Sequence, residues 1–185
     1  MVMSIADAIH LYQRLTEQQI PVWVTGGWGI DALLGEQTRH HEDLDVLVRA
    51  DDVGSIRALL EGQHYKLKHL WEENRWITDS AGNRIATAFV LHDPSGRELD
   101  VHALYLDEEG NGIPAWNVEE NVRLTHRELG AEGHIGGQAV RCLSASFQMR
   151  WHTGYQLPEK QVQDLKQLHQ RLHEPYPPEH AHLGQ

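Results

Sequence analysis

Apolar positions along the chain recur with two periods, and the changes from one to the other mark out the elements. Ile5, Ala8, Ile9, Tyr12 and Leu15 return at three- and four-residue spacing, the stripe of an amphipathic helix running to about Gln18. Ser4, with Asp7 three positions on, supplies its capping-box start. Pro21 then opens the apolar run Val22-Trp23-Val24, a strand that delivers the chain to Gly26-Gly27. Residues 28–34 read as a short helix stopped by Gly35, and residues 43–48 as the next strand. Asp51-Asp52 place negative charge at the start of a helix whose buried stripe is Val53, Ile56, Leu59 and Leu60, ending at Gly62. Strand-like pieces follow at 65–70, 75–78, 84–92 and 97–105, with the turn Asp93-Pro94-Ser95-Gly96 making a hairpin of the last two. A second turn falls at Glu109-Gly110-Asn111-Gly112, and a further β pair spans 133–143 with its bend at Gly136-Gly137. Ser144 caps a helix to about His152, and Pro158 opens another carrying Val162, Leu165, Leu168 and Leu172.

Helices set between strands predict an α/β (α+β) fold, a mixed twisted sheet with flanking helices and a small C-terminal helical part. The expected organisation is a core over 1–143, helices packed on it over 144–174, and a Pro/His-rich tail over 175–185. At 185 residues, with 40% hydrophobic and 23% charged, the chain is long enough to bury a core and ordinary for a soluble protein. No apolar run approaches the roughly 20 residues of a membrane span, and Met1-Val2-Met3-Ser4 lacks a signal sequence, so the expected location is cytoplasmic. The lone Cys142 excludes an internal disulfide and reads as a small core residue. A net charge of −11 opposes a long nucleic-acid partner, which would demand a Lys/Arg-rich surface. The 14 histidines are scattered without the spacing of a structural zinc site, and His180 and His182 fall in a tail expected to be solvated and mobile.

Two features carry chemistry. Asp43 and Asp45 stand two positions apart on a strand and therefore project from one face. Carboxylates held that close repel unless a cation joins them, and an all-oxygen pair suits Mg²⁺ or Mn²⁺. The Gly26-Gly27 turn, just ahead of a helix, offers backbone N–H groups to phosphate. Phosphate with a hard divalent cation points to a nucleoside triphosphate. A third carboxylate from an adjacent strand would complete such a site; alternation along residues 97–104 puts Glu98, Asp100 and His102 on one face, with Asp100 the best placed.

The run from Val22 through Thr25-Gly26-Gly27-Trp28-Gly29-Ile30-Asp31 to Gly35, then Thr38-Arg39-His40-His41-Glu42-Asp43-Leu44-Asp45-Val46, resembles the antibiotic nucleotidyltransferases. These are the lincosamide nucleotidyltransferases and aminoglycoside 2″-adenylyltransferases of the polymerase-beta-like nucleotidyltransferase superfamily. The likeness is dense over 21–48, thinner to 104, and returns at Arg141-Cys142-Leu143-Ser144 and His152-Thr153-Gly154-Tyr155. It implies the nucleotidyltransferase fold and transfer of a nucleoside monophosphate from an NTP, ATP first, to a hydroxyl of a small acceptor such as an aminoglycoside or lincosamide. Asp43 and Asp45 would then hold the metal, with Asp100 as metal ligand or general base. Gly26 and Gly27 would bind the triphosphate, Arg39 would bind it or form a surface ion pair, and Lys160 or His152 would reach it or belong to a helix-terminus packing motif. Trp28 would pack in the core by the usual habit of tryptophan, but its recurrence in the family favours a place beside the site, stacking on the base. Asp31 would bond local backbone or orient Arg39, and His102 would orient a carboxylate, contact substrate, accept a proton or play a structural part.

Trp71-Glu72-Glu73-Asn74-Arg75-Trp76 mixes aromatic surface with acid, either an acceptor grip or a charged turn. The competing readings are an enzyme of the same fold that modifies a protein or a tRNA end, and a nucleotide-binding module without catalysis. The acceptor and the oligomeric state are not written in the sequence.

Overall fold

A computed structural model of the chain describes residues 2–72, 74–78, 82–116 and 122–184. The capping box at Ser4 forms as its spacing requires: the Ser4 hydroxyl accepts from the Asp7 N–H, and the Asp7 carboxylate accepts from the Ser4 N–H. It starts α1 (Ile5–Thr16), which buries Ala8, Leu11, Tyr12 and Leu15. The chain continues through β1 (Val22–Thr25), α2 (Gly26–Leu34), β2 (Asp43–Arg49), a 3₁₀ turn at Ala50–Asp52 and α3 (Val53–Glu61). Then come β3 (Lys66–Leu70), β4 (Trp76–Thr78), β5 (Arg84–Ala86), β6 (Ala88–His92), β7 (Glu98–Leu106) and β8 (Gly112–Pro114). Finally α4 (His126–Leu129), β9 (Ala131–Ile135), β10 (Gln138–Cys142), α5 (Ala145–Trp151) and α6 (Glu159–Leu172) lead to a 3₁₀ segment at Pro178–Gly184.

The main sheet has the order β3-β6-β7-β2-β1-β10-β9, with β8 beside β7. β2 with β7 and β1 with β10 are parallel, whereas the other pairs are antiparallel. The sheet is therefore mixed, as the pattern predicts. On one face Leu44, Val46, Val48, Leu99 and Val101 pack with the buried stripes of α1 and α3 in the principal core. Alternation turns Asp43, Asp45 and Leu47 to the opposite face. There Leu47 joins Trp23, Trp116, Leu124, Leu143 and Phe147 in a second cluster. A third cluster, Ile30 with Ala145, Met149, Leu165 and Leu168, fastens α2 to α5 and α6. The functional face is thus a cleft between one end of the sheet and the C-terminal helices.

Three expectations need correction. The run 84–92 is two strands, not one: β5 pairs with β4 in a separate two-stranded sheet, while β6 joins the main sheet. Thr87 makes the break, its N–H donating to the Asn74 side chain at 2.8 Å and its hydroxyl to the Arg75 carbonyl at 3.0 Å. Strand β8 and helix α4 form where only a turn is legible. The tail expected to be solvated packs down instead, because His180 is buried and its ring Nε2 donates to the His152 carbonyl at 2.6 Å. Across that contact, the Gly154 N–H donates to Glu179 Oε1 at 3.0 Å. Tyr176 also packs on the His169 ring, their centroids 4.3 Å apart.

Candidate active site

The parallel pairing of β2 and β7 sets Asp45 directly opposite Asp100 and Asp43 opposite Glu98. Asp43, Asp45 and Asp100, the three carboxylates expected to share a site, line one cavity of about 310 Å³. Thr25 pairs with Asp45 on the other side, so the glycine turn that follows β1 lies over the same carboxylate. Gly26 has φ +58°, open to glycine at little cost. A Cβ there would overlap the Asp45 carboxylate, and one on Gly27 would overlap the His41 ring and the Arg39 guanidinium. Two bare backbone units at the N-terminus of α2 are thereby brought close to acid and base together.

Electrostatics single out the pair on β2. Burial, the charge of Asp100 and that of Glu98 raise the Asp43 carboxyl above its ordinary value, with Lys160 pulling the other way. Asp45, at the floor of the cavity, is raised further, first by burial and then by Asp43 and Asp100; Lys160 and Arg39 offset only part of this. Such a site lacks positive charge. Among the described residues, no three His, Cys, Asp or Glu side chains already close around a single point. The carboxylates are gathered but not caged.

Lys160, from the first turn of α6, lines the cavity together with His152, Tyr155 and Gln161. The His152 ring is already engaged, its Nδ1–H donating to the Gln148 carbonyl at 2.7 Å, and burial lowers its pKa. Arg39 also lines the cavity, but two of its nitrogens donate to Asp164, at 2.8 and 2.7 Å. Asp164 was not legible as a site residue, although it sits one helical turn beyond Lys160, where (i, i+4) side chains share a face.

Trp28 is corrected. It is 1% exposed, does not line the cavity and packs 4.5 Å from the His41 ring, so it cannot stack on a base from this position. Its helix turns that face to the principal core. Asp31 takes the local-backbone role and not that of orienting Arg39: it accepts from the Thr38 N–H at 3.0 Å and the Thr38 hydroxyl at 2.6 Å, and lies 2.5 Å from His41 Nε2. Glu98 is drawn into an ion pair with Lys68. His102 Nδ1 stands 3.1 Å from Asp100 Oδ1. Of the mixed aromatic and acidic segment, Trp71 reaches the cavity, and Glu73 lies outside the described residues.

The far wall of the cavity is aromatic. Trp71, Trp116, Phe147 and Trp151 line it with Leu47, Leu124 and Leu143. Trp116 meets the His102 ring edge-on at 4.7 Å and Trp151 at 6.2 Å.

Residues 7–168 match the sequence model of the aminoglycoside-2″-adenylyltransferase family. The chain belongs to that family. A lincosamide resistance protein of Staphylococcus haemolyticus is 26% identical over 162 residues, which are 88% of this chain and 92% of that protein. A 2″-aminoglycoside nucleotidyltransferase of Klebsiella pneumoniae is 30% identical over 137 residues, 69% of this chain but only 60% of that protein. Among solved structures, the lincomycin-bound lincosamide antibiotic adenylyltransferase LnuA superposes with a TM-score of 0.76 at 23% identity, covering 92% of this chain and 99% of that one. ANT(2″)-Ia in complex with adenylyl-2″-tobramycin gives 0.64 at 20% identity, covering 91% and 88%. The fold is theirs. Membership of the family makes the chain a nucleotidyltransferase, and the expected fold class is borne out. Among the described residues, no helix is long and apolar enough to cross a membrane.

Proposed function

We propose that this adenylyltransferase-family protein uses Mg²⁺ and ATP to transfer AMP to a hydroxyl of a small antibiotic-like acceptor, an aminoglycoside or a lincosamide, releasing pyrophosphate. The observation that carries the reading is the register of β2 on β7, which sets Asp45 against Asp100 beneath the Gly26-Gly27 turn. The donor set fits a hard divalent cation: three carboxylates, two of them, Asp43 and Asp45, pushed toward protonation by burial and by neighbouring carboxylates, Asp100 among them in both cases. Asp43, Asp45 and Asp100 would hold the ion. Bound there, Mg²⁺ or Mn²⁺ would neutralise phosphate charge and favour attack on the α-phosphate. Gly26 and Gly27 present backbone N–H groups to the phosphates, and Lys160 adds a point charge beside Asp43 and Asp45. Arg39 keeps a place beside Gly27 because Asp164 holds its guanidinium there. Asp100 either completes the ion's ligands or takes the proton of the acceptor hydroxyl.

Two relatives, one named for lincosamide resistance and one for 2″-aminoglycoside transfer, bracket the acceptor. The decisive experiment incubates the protein with Mg²⁺ and each NTP against panels of both antibiotic classes, cellular proteins and tRNA, and weighs the products by mass spectrometry. An added nucleotide mass on an antibiotic supports the proposal. Labelling of protein or tRNA alone would replace it with the macromolecular reading, and labelling of nothing would remove it.

A further inference from the structure

Trp71 touches both halves of the cavity. Its indole Nε1–H donates to Asp100 Oδ1 at 3.2 Å, and its ring belongs to the aromatic wall. His102 Nδ1 approaches the same oxygen at 3.1 Å, while among the described residues no donor is bonded to Oδ2. We infer that Trp71 is a positioning residue for Asp100, fixing its carboxylate so that Oδ2 stays available for the reaction. The inference rests on the proposed nucleotidyl transfer.

The physical case begins with freedom. Pairing on both sides, to Asp45 of β2 and Val90 of β6, fixes the backbone of Asp100. That pairing leaves the terminal torsion of the carboxylate broad and nearly two-fold. The neighbouring negative charges of Asp43 and Asp45 favour rotation away from them, so a donor on the other side is needed to hold one orientation. An indole N–H is suited to this because it donates only and cannot invert its role.

Trp71 is itself held. The Asn74 N–H donates to the Trp71 carbonyl at 3.0 Å, and the Asn74 side-chain oxygen accepts from the Thr87 and Ala88 N–H groups at 2.8 and 3.2 Å. That turn pins the segment after β3 onto the start of β6. His69 meets the Trp71 ring edge-on at 4.9 Å, and the His102 ring lies 6.1 Å away on its cavity side. At 37% exposure, the ring keeps surface free for an acceptor. One side chain thereby links the acceptor's wall to the carboxylate that serves its hydroxyl.

The test separates the ring from its N–H. Trp71→Phe keeps an aromatic wall and removes the donor; kcat should fall on the order of 10- to 100-fold, the usual loss for a partner that orients a ligand or base. Acceptor KM should stay within about twofold, because the wall remains, whereas Trp71→Ala should also raise KM. A Trp71→Phe enzyme with wild-type kcat, or with its loss confined to KM, overturns the inference. A second readout does not depend on turnover. The Trp71→Phe spectrum identifies that indole among the six tryptophans of ¹⁵N-labelled protein. Its N–H should exchange with solvent more slowly in wild type than in Asp100→Ala or Asp100→Leu, each checked for folding by its melting curve. Equal exchange in wild type and variants would show that no such bond is held. If the wild-type protein labels no acceptor, the functional proposal fails while the exchange measurement still decides the contact.

Discussion

Replacing Asp45 with Asn should stabilise the ligand-free protein while abolishing transfer. Asp45 faces Asp100 across adjacent strands and has Asp43 two residues away on its own strand. Strand geometry puts such neighbours about 5 and about 7 Å apart. At an effective dielectric of about 20, those separations correspond to roughly 3 and 2 kcal/mol of repulsion. Attraction from Lys160 and Arg39 offsets part of this, leaving a net gain on the order of 2 kcal/mol when the charge is removed. For a chain of this size that is a rise of about 4–8 °C in melting temperature. The sign with pH follows from linkage. The folded protein raises the Asp45 pKa above its ordinary 3.8, so the folded state holds the proton more tightly. Wild-type stability from this group is full below the unfolded value and is lost as pH rises through the folded one.

The advantage of Asp45→Asn should therefore be present at pH 8 and vanish toward acid, where wild type carries the proton itself. Thermal melts in chelator across that range measure it directly. Adding Mg-ATP should reverse the order, stabilising wild type and leaving the variant nearly unmoved. An Asn variant that melts at or below wild type at pH 8, or whose gain is the same at every pH, would refute the electrostatic reasoning. Retained wild-type turnover would remove Asp45 from the site altogether.

Mg²⁺ and ATP should bind interdependently, because the carboxylates are gathered without being closed around a point; calorimetry should show weak ATP binding in chelator that tightens when Mg²⁺ is added, and equal affinity in both would exclude a metal-using site. Asp100→Asn should cost orders of magnitude in turnover with Mg-ATP affinity largely kept if Asp100 is the base, and should lose both together if it is chiefly a ligand; wild-type turnover would leave it neither. Asp164→Ala should lower stability by about 3 kcal/mol, since it strands the part-buried Arg39 cation, and should also weaken nucleotide binding, with a melting temperature within a degree of wild type as the contrary result.

The carboxylate half of the site was legible because it depends on a short-range rule. Period-two alternation alone orders Asp43 with Asp45 and Glu98 with Asp100 and His102, and the pairing of β2 with β7 needed only to be in register. The glycine turn was legible for a similar reason, since Gly26 to Asp45 spans one β-α-β passage. Trp28 was misplaced because its fate is set by which side of α2 meets the core, and a nine-residue helix buried from Gly27 through Ala32 gives no single preferred face. The break at Thr87 escaped for want of Asn74, whose side chain takes over the N–H groups that a continuous strand would have paired.

Range in sequence decides the rest. Arg39 reads as a phosphate ligand when only its neighbours are visible, yet its strongest partner, Asp164, is 125 residues away. The packed tail depends in the same way on His180 finding the His152 carbonyl. The aromatic wall is the extreme case: Trp71 follows β3, Trp116 follows β8, and Phe147 and Trp151 belong to α5. Each is an ordinary tryptophan or phenylalanine alone, and their meaning comes only from facing one cavity. A nucleotidyltransferase can therefore announce its paired carboxylates within one strand while its choice of acceptor stays a property of the assembled fold. Variants meant to change acceptor preference belong at Trp71, Trp116 and Trp151, where three separate segments meet, and should leave Mg-ATP binding at Asp43 and Asp45 in place.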